Sequence, residues 1–322
     1  MSFSLLSTKL YIPPVRAGAV ARPRLVEKLR SGVQQPGSFT LLSGPAGFGK
    51  TTLLSEFIAA IQQPGEPPLR VAWLSLDEGD NDPNRFWSYL IRACQSAMSE
   101  VGETALALLR APQPAPEDSI PTLLINDLTV QNQTLVLILD DYHSIQNPLL
   151  QKSVLFLLEH LPKTLRLILS TRTDPPYPLA RYRASNQLIE IRARELRFTL
   201  QEAAEFLNHT MGLSLTADAL AALEERTEGW IAGLQLAALS LQGRGDPGSF
   251  IQAFTGSHVY IAEYLVDEVL KRQPEEMQTF LLQSCILEPL NADLCEAVCY
   301  SEETAGRQDG QAMLKALQQA NI

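Results

Sequence analysis

The run Gly44-Pro45-Ala46-Gly47-Phe48-Gly49-Lys50-Thr51 places three glycines, one ammonium and one hydroxyl within eight residues. Glycine permits backbone turns in which successive amides point inward, forming a nest that holds an anion. Lys50 brings a positive charge to the same place, and the Thr51 hydroxyl is a hard oxygen donor suited to Mg2+. The spacing satisfies G-x-x-x-x-G-K-[ST], the pattern that cradles the phosphates of a nucleoside triphosphate. An apolar run precedes the loop and an amphipathic run, 51–61, follows it. The loop is therefore expected between a strand and a helix, with Gly44 to Thr52 binding the nucleotide and the helix dipole assisting anion binding.

A bound triphosphate also needs a metal anchor. The apolar run 135–139 ends in Asp140-Asp141, the Walker B form. Asp140 and Thr51 are expected to hold Mg2+, and Asp141 to orient or deprotonate an attacking water. The plainer reading of Asp141 is a cap on the turn that follows. Arg172 stands at the tip of the next run, 166–170, where it can reach a γ-phosphate, because phosphates gather at the carboxyl ends of parallel strands. Its alternative is a surface pair with Asp174, and Arg181 and Arg183 are weaker candidates for the same task. Asp77 and Asp80 could face the metal from the neighbouring strand end, Asp82-Pro83 reads as a helix start, and His143 as a turn residue.

These groups need a scaffold with several strand ends on one edge. Short apolar runs at 39–43, 71–75, 135–139, 166–170 and 188–191 alternate with helical patterns. That alternation predicts an α/β fold, the three-layer parallel sheet of P-loop NTPases. A proline-rich loop is expected at 111–116. Beyond about residue 194 the period becomes helical, with Thr199 and Glu202 forming a capping box for a helix over 202–209. Further helices are expected at 220–226, 230–241 and 259–271, a loop at 243–248, a helix with Pro274 in its first turn, and an amphipathic stretch at 312–319. The change of period divides the chain near residue 195, with a strand-and-helix nucleotide-binding unit before it and an all-helical stretch after it. The last helix runs directly into Ile322 without a polar tail, as expected of a piece cut inside a domain.

Composition narrows the functional classes. The net charge is −10 and no cationic run is present, which argues against a grip on nucleic acid by this stretch alone. Cys94, Cys285, Cys295 and Cys299 lack the spacing of a zinc site and are expected as core thiols in a reducing, cytoplasmic setting. Neither a signal peptide nor an apolar run long enough to span a membrane is evident.

With these pieces placed, the chain resembles the MalT-like (LuxR-type) transcription activators, members of the STAND class of signalling ATPases. The resemblance runs through Thr8-Lys9-Leu10, Ala21-Arg22-Pro23-Arg24-Leu25, the glycine-rich loop, LSLDEGDNDPNRFWSYL at 74–90 and ILDDYH at 138–143. It continues through QLIEIRARELRFT at 187–199, EGWIAGLQL at 228–236 and YLVDEVL at 264–270. It implies an ATP/ADP switch with slow hydrolysis, closed with ADP and self-associating with ATP. It also implies that Val20, Ala21 and Arg22 hold the adenine, that Arg172 is the sensor Arg, that Trp230 lies near the nucleotide, and that the chain divides into a nucleotide-binding domain over 1–195, a helical lid over 196–272 and the incomplete beginning of a winged helix over 273–322. Ser185 departs from the pattern, where relatives carry a second Arg. DNA and inducer are expected to bind only through domains absent from these 322 residues. Two alternatives stand beside this one: a conventional P-loop ATPase or kinase, and the same switch fused to a protein kinase or scaffold.

Overall fold

Strands form where the apolar runs predict them, each within one residue of the expected ends: β1 (Phe39–Ser43), β2 (Arg70–Ser75), β3 (Leu135–Asp140), β4 (Leu165–Thr171) and β5 (Leu188–Arg192). The computed structural model describes residues 5–63, 69–112, 116, 118–242, 251, 259–287, 289–299 and 310–319. Chain contacts divide it into two units, Met1–Gly44 with Gly49–Leu196, and Pro45–Phe48 with Arg197–Ile322.

In the first unit the strands form one parallel sheet in the order β2-β3-β4-β1-β5. β1, β3 and β4 are buried at every position, which is why their sequences are nearly continuous apolar runs, while the edge strands keep exposed (β2) or half-buried (β2 and β5) positions. The edge strand β5 carries Glu190 paired with both Arg183 and Arg192, a charged rim that discourages pairing with another sheet. The surrounding helices are α1 (Pro23–Gln34), α2 (Lys50–Ile61), α3 (Pro83–Ala97), α4 (Glu103–Leu109), α5 (Ser119–Thr129), α6 (Pro148–Glu159), α7 (Leu179–Ala184) and α8 (Ala193–Leu196). Asp82 caps α3 by accepting from the Arg85 amide, with Pro83 in the first turn, as its sequence predicts. Leu74, Phe86, Trp87, Leu90, Leu137, Leu139 and Leu167 belong to one continuous core that packs the sheet against α3 and its neighbours. The strand registers pair Ser75 with Asp140 and Ser43 with Thr171, so the carboxyl ends that bear the candidate chemistry share one edge.

The second unit is helical: α9 (Leu200–Ala204), α10 (Ala217–Thr227), α11 (Ile231–Leu241), α12 (Val259–Glu268), α13 (Glu275–Ser284), α14 (Ala292–Cys299) and α15 (Gly310–Gln319). The Thr199–Glu202 capping box is formed in both directions. The helix expected over 202–209 does not stay α-helical. It widens into a π turn, Glu205–Thr210, where Asn208 donates to the Leu215 carbonyl and accepts from the Leu215 amide, tying the helix end to the loop beyond. The helix expected over 259–271 ends at Glu268, followed by a separate 3-10 turn, Leu270–Arg272. Pro274 is the N-cap of α13 instead of a member of its first turn. Met277, Phe280, Cys295 and Leu317 bring α13, α14 and α15 together around a small core. Cys285 is exposed, contrary to the expectation of a core thiol. The expected loop at 243–248, and part of that at 111–116, lie outside the described residues. Among the described residues no helix is long and apolar enough to cross a membrane.

Candidate nucleotide-phosphate site

The glycine-rich loop leaves β1 at Gly44 and enters α2 at Lys50. Gly47 and Gly49 both adopt left-handed backbone, at φ 77° and 71°, the conformation that turns neighbouring amides toward a common centre. Lys50 is buried, and its Nζ donates to the Gly44 carbonyl at 2.6 Å. Burial lowers its pKa to about 8, with nearby Arg172 pushing the same way and Asp141 and Asp140 partly opposing. A buried ammonium whose charge is penalised by desolvation gains from the arrival of an anion.

Thr51 Oγ1 donates to Asp140 Oδ2 at 2.8 Å, joining the start of α2 to the end of β3. The other carboxylate oxygen, Asp140 Oδ1, is buried without a hydrogen-bond partner. A buried carboxylate oxygen beside a hydroxyl is a hard donor set that fits a divalent cation or its water shell. β4 lies between β1 and β3, and Arg172 follows its last residue, so the sheet order sets this guanidinium close enough to Lys50 to depress its pKa. Asp174, the alternative partner of Arg172, accepts from Ser43 Oγ at 2.9 Å and pairs with Arg192.

Asp141 stands at φ 57° at the head of the turn Tyr142–Ser144 and makes no side-chain cap to it, so the plain capping role is absent. His143 lies in the turn Tyr142–Ser144, as expected, and its Nδ1 stands 3.8 Å from Asp141 Oδ1, which also sets it beside the acid. Its position two residues after the acid was the available signal. Asp77 and Asp80 do not face the strand end of Asp140. Asp80 is fully buried, pairs with Lys9 and with Arg85 Nε at 3.1 Å, and closes a capping box with Asp77. These acids anchor the turn Glu78–Asn81, and the buried Lys9 that recruits them carried no signal in its local sequence.

Val20, Ala21 and Arg22 form the approach to α1. Val20 and Arg22 are buried and Ala21 is exposed. The Arg22 amide donates to Glu56 Oε1 at 2.7 Å, and its guanidinium donates to the Leu196 carbonyl, so this arginine ties α1 and α2 to the end of α8. Within the second unit, Trp230 Nε1 donates to the Ala46 carbonyl at 3.0 Å and the Ala232 amide to the Gly47 carbonyl at 3.0 Å. Pro45, Ala46, Gly47 and Phe48 are thus grouped with the start of α11. A Cβ on Gly47 would lie 2.5 Å from Ala232 Cβ and 2.8 Å from Trp230 Nε1, so space as well as conformation requires glycine there.

A family model described as the NACHT domain matches residues 38–210, and one described as the MalT winged helix domain matches residues 266–322. Among curated proteins, the chain is 34% identical over 320 residues, 99% of its length, to the HTH-type transcriptional regulators MalT of Klebsiella pneumoniae and Serratia proteamaculans. It spans 34% of the length of those relatives. Among solved structures, a Walker-type ATPase of Pyrococcus abyssi has the same fold at TM-score 0.61, over 96% of this chain and 92% of that one, with 15% sequence identity.

Proposed function

The chain belongs to the NACHT family, and from that premise we propose that it is an ATP/ADP switch module with slow, Mg2+-dependent hydrolysis. Its parent would be a cytoplasmic, signal-responsive transcriptional regulator of the MalT-like, LuxR-type group in the STAND class. The observation that carries the reading is the junction of Lys50, Thr51 and Asp140. There a buried ammonium, a hydroxyl and a carboxylate oxygen without a protein partner sit at the ends of α2 and β3.

In this reading Lys50 and the amides of Ala46–Thr51 would hold phosphate oxygens, while Thr51 and Asp140 would hold Mg2+. When bound there, Mg2+ would supply charge neutralisation to the phosphates. Asp141 orients or deprotonates the attacking water, and His143 beside it steadies the carboxylate. Arg172 answers to the γ-phosphate. Val20, Ala21 and Arg22 flank the base, and Trp230 holds the loop tip through Ala46. The proposed division keeps 1–195 as nucleotide-binding domain, 196–272 as lid and 273–322 as the beginning of a winged helix. Switching requires that one arrangement bind ATP better than the other, since a ligand shifts an equilibrium only by its differential affinity. Contacts of Lys50 and Arg172 with a γ-phosphate supply that difference.

Two substitutions separate binding from hydrolysis. Lys50→Ala is expected to abolish ATP binding measured by calorimetry. Asp141→Asn is expected to retain it within about threefold while lowering single-turnover hydrolysis by about 100-fold or more. Equal loss of binding in both variants would refute the assigned roles.

A further inference from the structure

We propose that Asn81 and the Tyr142–Tyr177 pair are positioning residues that fix the turn bearing Asp141, and so govern hydrolysis separately from nucleotide binding; the proposal rests on the hydrolytic reading above. Asp141 is one of few non-glycine residues with positive φ among those described, and a residue held there costs on the order of 1 kcal/mol. The turn after it has only short local bonds of its own, Ser144 N to Asp141 O and Ile145 N to Tyr142 O, each 3.0 Å. Its orientation is therefore set from outside.

One anchor is Asn81, the last residue of the turn Glu78–Asn81 at the end of β2. Its Nδ2 donates to the Ser144 carbonyl at 2.7 Å, and its Oδ1 accepts from the Gln146 and Asn147 amides at 2.7 and 2.9 Å. Its backbone carbonyl accepts from Asn147 Nδ2 at 2.9 Å. A single side chain thus satisfies three backbone groups of the segment following Asp141. Asn81 is itself held by its neighbour Asp80, which is fully buried between Lys9 and Arg85.

The second anchor acts from the opposite side. Tyr142, next to Asp141, is buried and its hydroxyl is hydrogen-bonded to that of Tyr177, also buried and five residues beyond Arg172. Burial raises the pKa of both phenols, so both remain neutral donors and acceptors at any physiological pH. The pair links the turn that carries Asp141 to the segment that follows β4 and Arg172. Neither anchor is needed to pair β2 with β3 or β3 with β4, whose ladders are complete without them. Apart from a bond of Asn81 Nδ2 to the Glu78 carbonyl of its own turn, at 2.9 Å, these bonds meet on the segment Tyr142–Asn147, which identifies what they position.

The test uses the full chain with Asn81→Leu, Asn81→Asp, Tyr142→Phe, Tyr177→Phe and the double Tyr→Phe variant. Three quantities are measured in each: ADP affinity, affinity for ADP–aluminium fluoride, and single-turnover ATP hydrolysis. Asn81→Leu is expected to slow hydrolysis by about 10- to 100-fold, the scale of a small misplacement of a catalytic group, with ADP affinity within about twofold. Asn81→Asp keeps the acceptor and loses the donor, so it should fall between. The double Tyr→Phe variant should lose no more than either single variant, because removing one hydroxyl already breaks the pair. Preference for ADP–aluminium fluoride over ADP should fall in step with the rate. Unchanged hydrolysis, or ADP affinity falling in proportion to it, would overturn the proposal. The Tyr→Phe variants keep both rings and decide the matter if Asn81→Leu fails to fold. An unmodified chain that binds ADP yet neither hydrolyses ATP nor prefers ADP–aluminium fluoride removes the hydrolytic reading and the proposal with it. Normal hydrolysis in the unmodified chain beside unaffected variants removes only the proposal.

Discussion

Lys50 has to be charged to hold phosphate, yet its surroundings work against the charge. Burial brings its pKa from 10.5 to about 8 in the unliganded chain. A bound triphosphate stabilises the ammonium and raises the pKa again, so above pH 8 binding must be accompanied by proton uptake. ATP affinity is accordingly expected to be flat below about pH 7 and to fall as pH rises through 8, approaching tenfold per unit. Calorimetry at pH 8.5 in buffers of different ionisation enthalpy should register up to one proton taken up; constant affinity from pH 6.5 to 9.5 would contradict the assignment. The chemistry of Lys50 and Thr51 was legible because a nest, a cation and a metal-binding hydroxyl lie within eight residues. Arg22 was less so. The family resemblance alone implied that it helps to hold the adenine, and nothing local announced that its guanidinium donates to the Leu196 carbonyl, a partner 174 residues away.

At the scale of elements, helix ends show how local conformation and space act together. α10 ends with Glu228 and Gly229 in left-handed backbone, and the Gly229 carbonyl accepts from the Phe198 amide at 2.9 Å. A Cβ on Gly229 would lie 2.4 Å from the Phe198 carbonyl oxygen, whereas one on Gly212, at a similar φ of 69°, would meet nothing within 4 Å. Gly212→Ala should therefore cost about 1 kcal/mol, from backbone strain alone, and Gly229→Ala clearly more, because the backbone at Phe198 must also shift. Chemical denaturation of the two variants checks the order, and equal losses would show that space at Gly229 does not matter. The strands were readable because burial on both faces demands continuous apolar runs, and runs of that kind stand out. The π turn at Glu205–Thr210 was not, since it depends on Asn208 reaching Leu215 instead of on any local pattern.

For the molecule as a whole, the proposed switch predicts that nucleotide state and assembly state change together. The purified chain is expected to release ADP on denaturation. It should gain mass by light scattering when loaded with a slowly hydrolysed ATP analogue, and the Lys50→Ala variant should not. A chain that carries no nucleotide and keeps one mass under all conditions would count against a switch within these residues. The two contact units, the NACHT match over residues 38–210 and the winged-helix match over 266–322 bound what such an experiment addresses, since the chain spans 34% of the length of its curated relatives.

The sequence by itself determined the five strands, the glycine-rich loop and the identity of the groups available for phosphate and metal. Each is written in a short stretch where residue type and local period suffice. Only the tertiary structure decided which of these groups meet. Thr51 and Asp140 are 89 residues apart and touch because β3 and α2 end on one edge of the sheet. Arg172 lies near enough to oppose the charge on Lys50 because β4 is inserted between β1 and β3. Asp80 turns out to anchor Lys9 and Arg85 instead of a metal, and Asn81 holds Ser144 across 63 residues. Strand order and crossover connections set these pairings; the motifs foretold that Thr51 and Asp140 share a place, whereas the contacts of Asp80 and Asn81 leave no mark in the residues on either side.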